Sequence, residues 1–201
     1  MEYYDIQELK EMYNSGDKLE YVTFFTKHDY LSNFYKIGIS IPYKRNGVET
    51  MLDFYDSEQL FMFYKCLEFK NEDYAMRVVD LGDVYSNKYK KIGRELPGYG
   101  TYGHKWEEEK ESVMYDAIYH KFSQNEDLKE KLLSTGNKIL VEASPYDKYW
   151  GVGLSSESES ILNPNEWKGS NRLGFLLMEL REQLREQSKW IRNYIRQLIT
   201  H

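Results

Sequence analysis

The sequence predicts a mostly helical α+β domain built around a small β-sheet. Three observations point there. Apolar residues recur at three-four spacing in several long segments, the mark of amphipathic helices. Short apolar runs such as Tyr21–Phe25 and Lys138–Glu142 read as strands. Asn46-Gly47 between two further runs is a strong hairpin signal. No internal repeat and no shift of composition divides the chain. All 201 residues are therefore expected to form one domain, long enough for a sizeable core.

The elements follow in order. Ile6, Leu9, Met12 and Tyr13 give residues 2–13 one apolar helical face, and Gly16 ends that helix. Tyr21–Phe25 is a strand that runs into Leu31-Ser32-Asn33-Phe34-Tyr35, where small polar residues sit between apolar ones. Residues 37–43 and 48–54 form the hairpin. Asp56 or Ser57 caps the next helix, which runs to about Phe69 with Leu60, Phe61, Tyr64, Leu67 and Glu68 on its buried face. Asn71 caps a further helix through Tyr74, Met76, Val78 and Val79. Residues 86–94 are a short basic helix. Pro97 and the glycines 98, 100 and 103 make a loop. Residues 105–124 are a long helix with Val113, Met114, Ala117, Ile118, Lys121 and Phe122 along one face. Residues 125–134 are another, stopped by Gly136. The strand Lys138–Glu142 precedes a loop, 143–153, rich in Pro and Gly, and a polar, mobile segment, 155–165. The last helix runs from Asn171 to about Leu198. It is apolar at Leu173, Leu176, Leu177, Leu180 and Leu184. Its tail, with Trp190, Ile191, Tyr194, Ile195 and Leu198, is expected to pack back on the domain or on a partner.

Composition excludes several function classes. The chain is 41% hydrophobic and 30% charged, as a soluble globular protein is, and no apolar run is long enough to span a membrane. Met1-Glu2-Tyr3-Tyr4-Asp5 lacks the basic and apolar regions of a leader, so none is expected. Cys66 is the only cysteine. No internal disulfide can form, which fits a reducing cytoplasm, and a thiolate metal site is ruled out. The four histidines (28, 104, 120 and 201) show no ligand spacing. With 33 acidic and 27 basic residues the net charge is −6, against the basic excess usual in proteins that grip duplex nucleic acid. The 19 tyrosines fill half-buried positions for the most part, although aromatic rings can stack on a nucleobase.

One stretch carries chemistry. Glu58 and Lys65 lie seven residues apart on the expected helix, and seven steps return a helix to within about 20° of its starting face. A carboxylate and an amine thus point the same way, flanked by large apolar residues. Burial shifts both pKa values and suits such a pair to proton transfer or covalent catalysis. On spacing alone, a solvated surface ion pair is the commoner outcome.

Several stretches line up with that helix. They are Leu31-Ser32-Asn33-Phe34; Ser57-Glu58-Gln59 with Met62 and Lys65; and Gly93-Arg94. Trp106, Met114 and Lys121-Phe122 follow, then Leu132-Leu133-Ser134-Thr135-Gly136 and Leu140-Val141-Glu142-Ala143-Ser144. Last come Asp147, Trp150-Gly151-Val152-Gly153, Trp167-Lys168-Gly169-Ser170-Asn171-Arg172-Leu173-Gly174, Leu177-Met178 and Arg181. In this order and spacing the chain resembles the NADAR family, also called YbiA-like, over roughly residues 22–184. The pairing of Trp-Gly-x-Gly with Trp-x-Gly-x-Asn-x-Leu-Gly is the specific part. Tyr64 before Lys65, the Gly98–Gly103 link and the tail beyond Leu184 depart from the usual pattern and leave substrate choice open.

The resemblance implies an α+β N-glycosidase that cleaves the bond between ribose C1′ and an exocyclic amine, with no cofactor or metal. The implied substrates are the phosphoribosylamino-pyrimidine intermediates of riboflavin synthesis, or ADP-ribose on guanine, free or carried in single-stranded nucleic acid. Both are glycosylamines, whose nitrogen can open the sugar to an imine. Lys65, desolvated, is then expected to attack the imine and form a Schiff base. Glu58 moves the proton for ring opening or to the leaving amine. The rival is direct hydrolysis through an oxocarbenium-like state stabilised by Glu58 or Asp147. Asp147 is expected to bind ribose hydroxyls or position water, unless it only caps its own turn. Glu142 faces the pocket or serves structure. Trp150 or Trp106 stacks on the base, with a core role open for Trp106. Gly151 and Gly153 admit a phosphate or sugar close to the backbone, or simply make a turn. Arg94, beside Lys88, Lys90 and Lys91, clamps phosphate, unless the lysines form a solvated face. Ser32 and Asn33 donate to phosphate or ribose. Asn171 contacts ligand or, as the safer expectation, caps the last helix. Cys66, about 100° round the helix from Lys65, belongs to the core. A binding module that holds ADP-ribose or a nucleotide without turnover is the alternative. No membrane partner is expected, and the oligomeric state is left open.

Overall fold

The computed structural model describes residues 5–84 and 87–199, with the side chains of 192–199 left aside. The part of the expected first helix before Asp5, Ser86, and the side chains of Tyr194, Ile195 and Leu198 lie outside the described residues. The chain divides into two compact units, Thr26–Gln124 and the remainder on either side of it. The fold class is the mostly helical α+β expected, with its strands in two separate pairs.

In the unit Thr26–Gln124, strands β2 (Ile39–Arg45) and β3 (Val48–Phe54) form the antiparallel hairpin. Asn46 and Gly47 both take left-handed backbone angles, φ 50° and 82°. These are what a type I′ turn needs and why Asn-Gly serves there. Helix α2 (Ser57–Glu68) follows at once, capped by the Asp56 carboxylate, which accepts from the Gln59 N–H at 2.8 Å. The buried side of α2 is broader than a three-four stripe. Every residue from Ser57 to Phe63 is buried, and so is Cys66. Helix α3 (Glu72–Asp80), capped by Asn71, and helix α4 (Asn87–Glu95) pack against it.

Helix α5 (Tyr99–Ser123) begins six residues earlier than the glycine-rich sequence suggests. Gly98, at φ 90°, makes the turn before it, but Gly100 and Gly103 lie inside the helix. The loop expected there is therefore only the link Leu96-Pro97-Gly98. Aromatic packing outweighs the roughly 1 kcal/mol that each interior glycine costs. Phe69 meets the rings of Tyr99, Tyr102 and Trp106 at 6.0, 5.9 and 6.3 Å. A Cβ on Gly103 would stand 2.8 Å from the Tyr99 ring.

In the other unit, helix α1 (Ile6–Ser15) is capped by Asp5 and ended by Gly16 in the left-handed region. Strand β1 (Tyr21–Phe24) runs parallel to β4 (Ile139–Glu142), with Tyr21 opposite Ile139 and Phe24 opposite Glu142. Helix α6 (Glu126–Ser134) and helix α7 (Arg172–Ile199) complete it. Helix α7 buries Leu173, Leu176, Leu177, Leu180 and Leu184, as its spacing requires. The polar segment 155–165 is more built than expected. It forms two short 3₁₀ turns, Glu159–Leu162 and Pro164–Glu166, because Ile161 is buried and its carbonyl accepts from the Trp167 indole at 2.8 Å. Among the described residues no helix is long and apolar enough to cross a membrane. Trp190 and Ile191 of the tail are exposed.

Candidate active site

The candidate residues fall into two groups, one in each unit, and each group is drawn together within its own unit. The first group is held by the start of α2. Its N-terminal residues look outward from one another, and each is tied separately. The Glu58 N–H donates to the Asn33 carbonyl at 3.1 Å. The Ser57 hydroxyl donates to the Asn33 side-chain oxygen at 3.2 Å. The Gln59 amide donates to the Val78 carbonyl of α3 at 2.9 Å and accepts the Tyr55 N–H at 2.9 Å. With its neighbours so fixed, the Glu58 side chain is set by the helix geometry. It is only 5% exposed.

Lys65 lies two turns on, half-buried, with its ammonium 5.2 Å from the Trp106 ring centre and 5.8 Å from that of Phe69. Burial drives its pKa below the ordinary lysine value. Cys66, Glu107 and Glu58 oppose that shift, and the nearby charge of Arg94 adds to it. A lysine in this state offers more free amine near neutrality than an exposed one. The adjacent Cys66 thiol is pushed up to about 12 by burial, so it stays protonated and inert, as a core residue does.

Helix α4 supplies Arg94 and Lys90, one turn apart. Arg94 is exposed. Lys90 reaches to 4.0 Å from a Glu58 carboxylate oxygen and lies 4.5 Å over the Phe34 ring. Gly93 permits this approach, because a Cβ there would stand 2.5 Å from the Met62 sulfur on α2. Trp106 belongs to the core. It is 5% exposed, 5.4 Å from Phe61, and it carries the Lys65 ammonium against its ring. Ser32 and Asn33 are buried and engaged inside the protein. The Ser32 carbonyl accepts from the fully buried Lys121 ammonium at 2.7 Å. The Asn33 amide points at the Met114 sulfur at 3.1 Å. Their visible part is to shape the Leu31–Phe34 loop that receives Glu58.

The second group is organised by β4. The N–H groups of Ile139 and of Ala143, just after the strand, donate to the Glu20 and Phe24 carbonyls at the β1 side. Among the described residues no strand pairs with the other edge of β4. Asn171, fully buried at φ 51°, takes that place. Its side chain accepts the Glu142 N–H at 3.0 Å and donates to the Leu140 carbonyl at 2.8 Å. The residue stands where a cap would, its carbonyl accepting the Phe175 N–H at 3.1 Å, while its side chain ties the strand, of which the sequence gives no sign. The Val152 N–H donates to the Glu142 carbonyl at 3.0 Å. The Trp-Gly-x-Gly loop is laced to the later motif by its backbone: Lys168 to Val152, Ser170 to Lys148, Asn171 to Gly151, Arg172 to Tyr149 and Leu173 to Trp150.

Two glycines make that lacing possible. A Cβ on Gly151 would stand 2.8 Å from the Glu142 carbonyl, and one on Gly169 would stand 2.3 Å from that of Gly151. Gly153 has φ 69°. The Asp147 carboxylate accepts the Tyr149 and Trp150 N–H groups at 2.9 and 2.8 Å through a single oxygen, an Asx turn that presents Trp150. Trp150 is half-buried, edge-on to Tyr149 at 5.0 Å, and Glu142 is buried. Among the described residues no cluster of three or more His, Cys, Asp or Glu side chains is placed to hold a metal.

Two charged residues of the Thr26–Gln124 unit escaped the sequence reading as individuals. Lys90 was visible only as part of a basic stretch, although its spacing of four from Arg94, with Gly93 between, marks a packed face. Lys36 gave no signal. Its ammonium joins the buried Asp56 cap at 2.9 Å, Asp83 at 3.0 Å and the Val84 carbonyl at 3.1 Å. Burial raises the Asp56 pKa against the pull of Lys36, the Gln59 N–H and Lys121.

Comparison with known proteins places this arrangement. The NADAR domain family model matches residues 21–185. Over 181 residues the chain is 36% identical to protein irg-1 of Caenorhabditis elegans, spanning 87% of this chain and 84% of that one. Over 138 residues it is 36% identical to N-glycosidase R617 of Acanthamoeba polyphaga mimivirus, with 69% and 78% covered. A 79-residue stretch, 39% of this chain, is 46% identical to 11% of the chloroplastic riboflavin biosynthesis protein PYRR of Zea mays. The NMR structure of the Escherichia coli protein YbiA, named an N-glycosidase, superposes with a TM-score of 0.60 at 32% identity, over 84% of this chain and 87% of that one. With most of its length inside the matching family model, the chain belongs to the NADAR domain family.

Proposed function

We propose that the protein is an N-glycosidase that hydrolyses the bond between ribose C1′ and an exocyclic amine. The observation that carries this reading is the pair on α2: a buried Glu58 and a Lys65 whose amine is held below the ordinary lysine pKa on an aromatic bed. Two relatives named N-glycosidases support the reaction class. The substrate is a glycosylamine of a phosphorylated ribose. A phosphoribosylamino-pyrimidine of riboflavin synthesis fits, in line with the name of the maize relative. ADP-ribosylated guanine presents the same bond. The exposed side chains of Arg94, Lys88 and Lys91 on α4 suit the phosphate that either carries. The single buried thiol, Cys66, suits a reducing cytoplasm.

The chemistry follows from the two groups. The sugar ring opens as the C1′–O4′ bond breaks, O4′ takes a proton from solvent (returned when the lysine iminium is hydrolysed), and the C1′–N bond becomes an iminium. The free amine of Lys65 adds to C1′. Glu58 takes the proton released by that nitrogen and passes it to the departing exocyclic nitrogen, which leaves as the amine. Lys65 is then joined to C1′ as an iminium, and water adds to release the sugar aldehyde and restore the lysine. The test is base release measured by chromatography on both substrates side by side, with wild type, Glu58→Gln and Lys65→Ala. Release by wild type on one substrate, lost in both variants, is expected. Tight binding of ADP-ribose with no release from either substrate would overturn the reading in favour of a recognition module.

A further inference from the structure

Glu58 must accept a proton before it can deliver one, so in the reaction above it has to begin each cycle as a carboxylate. A carboxylate that is 5% exposed is costly unless a cation stands by it. Several charged groups bear on this helix. From α2 itself comes Lys65, which the reaction uses as a neutral amine. From α5, Glu107 acts on Lys65. From α3, Arg77 acts on Cys66, and the Val78 carbonyl takes Gln59. At the helix start, Lys36 and Lys121 act on Asp56. From α4 come Arg94, whose charge acts on Lys65, and Lys90, 4.0 Å from a Glu58 oxygen.

We propose that Lys90 is a positioning residue for Glu58: its ammonium, seated on the Phe34 ring, holds the carboxylate ionised at the start of the cycle. The inference rests on the N-glycosidase reading. Three fixed contacts support it. Phe34 lies under the Lys90 ammonium at 4.5 Å. The residue before it, Asn33, accepts the Glu58 N–H, so loop and helix move together. Gly93, three residues beyond Lys90, lets α4 close on Met62 of α2. Two lysines on two helices thus divide the labour. One lies on Trp106 as nucleophile, and the other lies on Phe34 as the fixed charge.

The test compares Lys90→Met and Lys90→Arg with wild type. The Glu58 carboxyl is titrated by carbon-13 NMR, with its signal assigned from Glu58→Gln. An opposite charge at this distance lowers a carboxyl pKa by about 1 unit or more, and Lys90 is partly exposed, so the lower figure applies. The Glu58 midpoint should rise by about one pH unit in Lys90→Met and stay near wild type in Lys90→Arg. On whichever substrate is turned over, the acidic limb of kcat/KM should move by the same amount. An unmoved Glu58 midpoint overturns the proposal. So does a raised KM with an unmoved limb, which would make Lys90 a substrate contact. Absence of turnover in wild type would count against the N-glycosidase reading alone, since the titration does not need activity.

Discussion

Asn171→Ala tests how the second group of residues is built. Removing the side chain strands the Leu140 carbonyl and the Glu142 N–H, both in a fully buried strand. Leaving a buried polar group without its partner costs about 1–3 kcal/mol, and here there are two. Alanine must also keep φ near 51°, a left-handed conformation worth about 1–2 kcal/mol of strain. The expected loss is about 3–8 kcal/mol, against a typical whole-domain stability of ~5–15 kcal/mol. Asn171→Gly removes the backbone share and should recover about 1 kcal/mol of it. Urea unfolding followed by tryptophan fluorescence and circular dichroism measures both variants. A loss below about 1 kcal/mol for alanine, or a glycine variant no better than alanine, would refute the tie and the strain together.

Two further outcomes follow from single contacts. Gly174→Ala places a Cβ 2.1 Å from the Leu140 carbonyl oxygen. The helix must shift off the strand, at a cost of about 3 kcal/mol or more, and a thermal midpoint within 2 °C of wild type would count against that packing; at this chain length 1 kcal/mol corresponds to roughly 2–4 °C. Lys65→Met should stabilise the protein. The folded pKa of Lys65 is lowered, so the fold resists its charge at pH values below the folded pKa and is relieved as pH rises toward the ordinary lysine value of about 10.4. Melting across pH should show the variant ahead at pH 7 and level with wild type above about pH 10; a variant less stable at pH 7 would mean that the ammonium is welcome where it sits.

Local rules made much of the architecture readable. Asp56, Asn71 and Gly16 act at the helix ends their chemistry suits, and Asn46-Gly47 turns the hairpin. These signals need only neighbours in sequence. The start of α5 was not readable, because the gain that offsets its glycines lies in the aromatic contact with Phe69, just past the end of α2. Asn171 escaped for the same reason. A residue before a helix is ordinarily a cap, and only the β4 backbone beside it makes the Asn171 side chain a tie. Within the candidate site, the seven-residue spacing located Glu58 and Lys65. Nothing in that spacing announced Lys90, whose part depends on how closely α4 packs on Met62. Trp106 shows a motif residue placed in the core, with the Lys65 ammonium against its ring.

The central claim is that Lys65 forms a covalent imine with C1′ of the sugar. The most direct measurement is mass spectrometry of the protein after borohydride treatment during turnover, with peptide mapping of the modified residue. The account predicts a reduced sugar adduct on Lys65 in wild type, absent in Lys65→Ala. Base release without an adduct would contradict it and leave direct hydrolysis, and an adduct mapped to Lys90 would reverse the roles assigned to the two lysines.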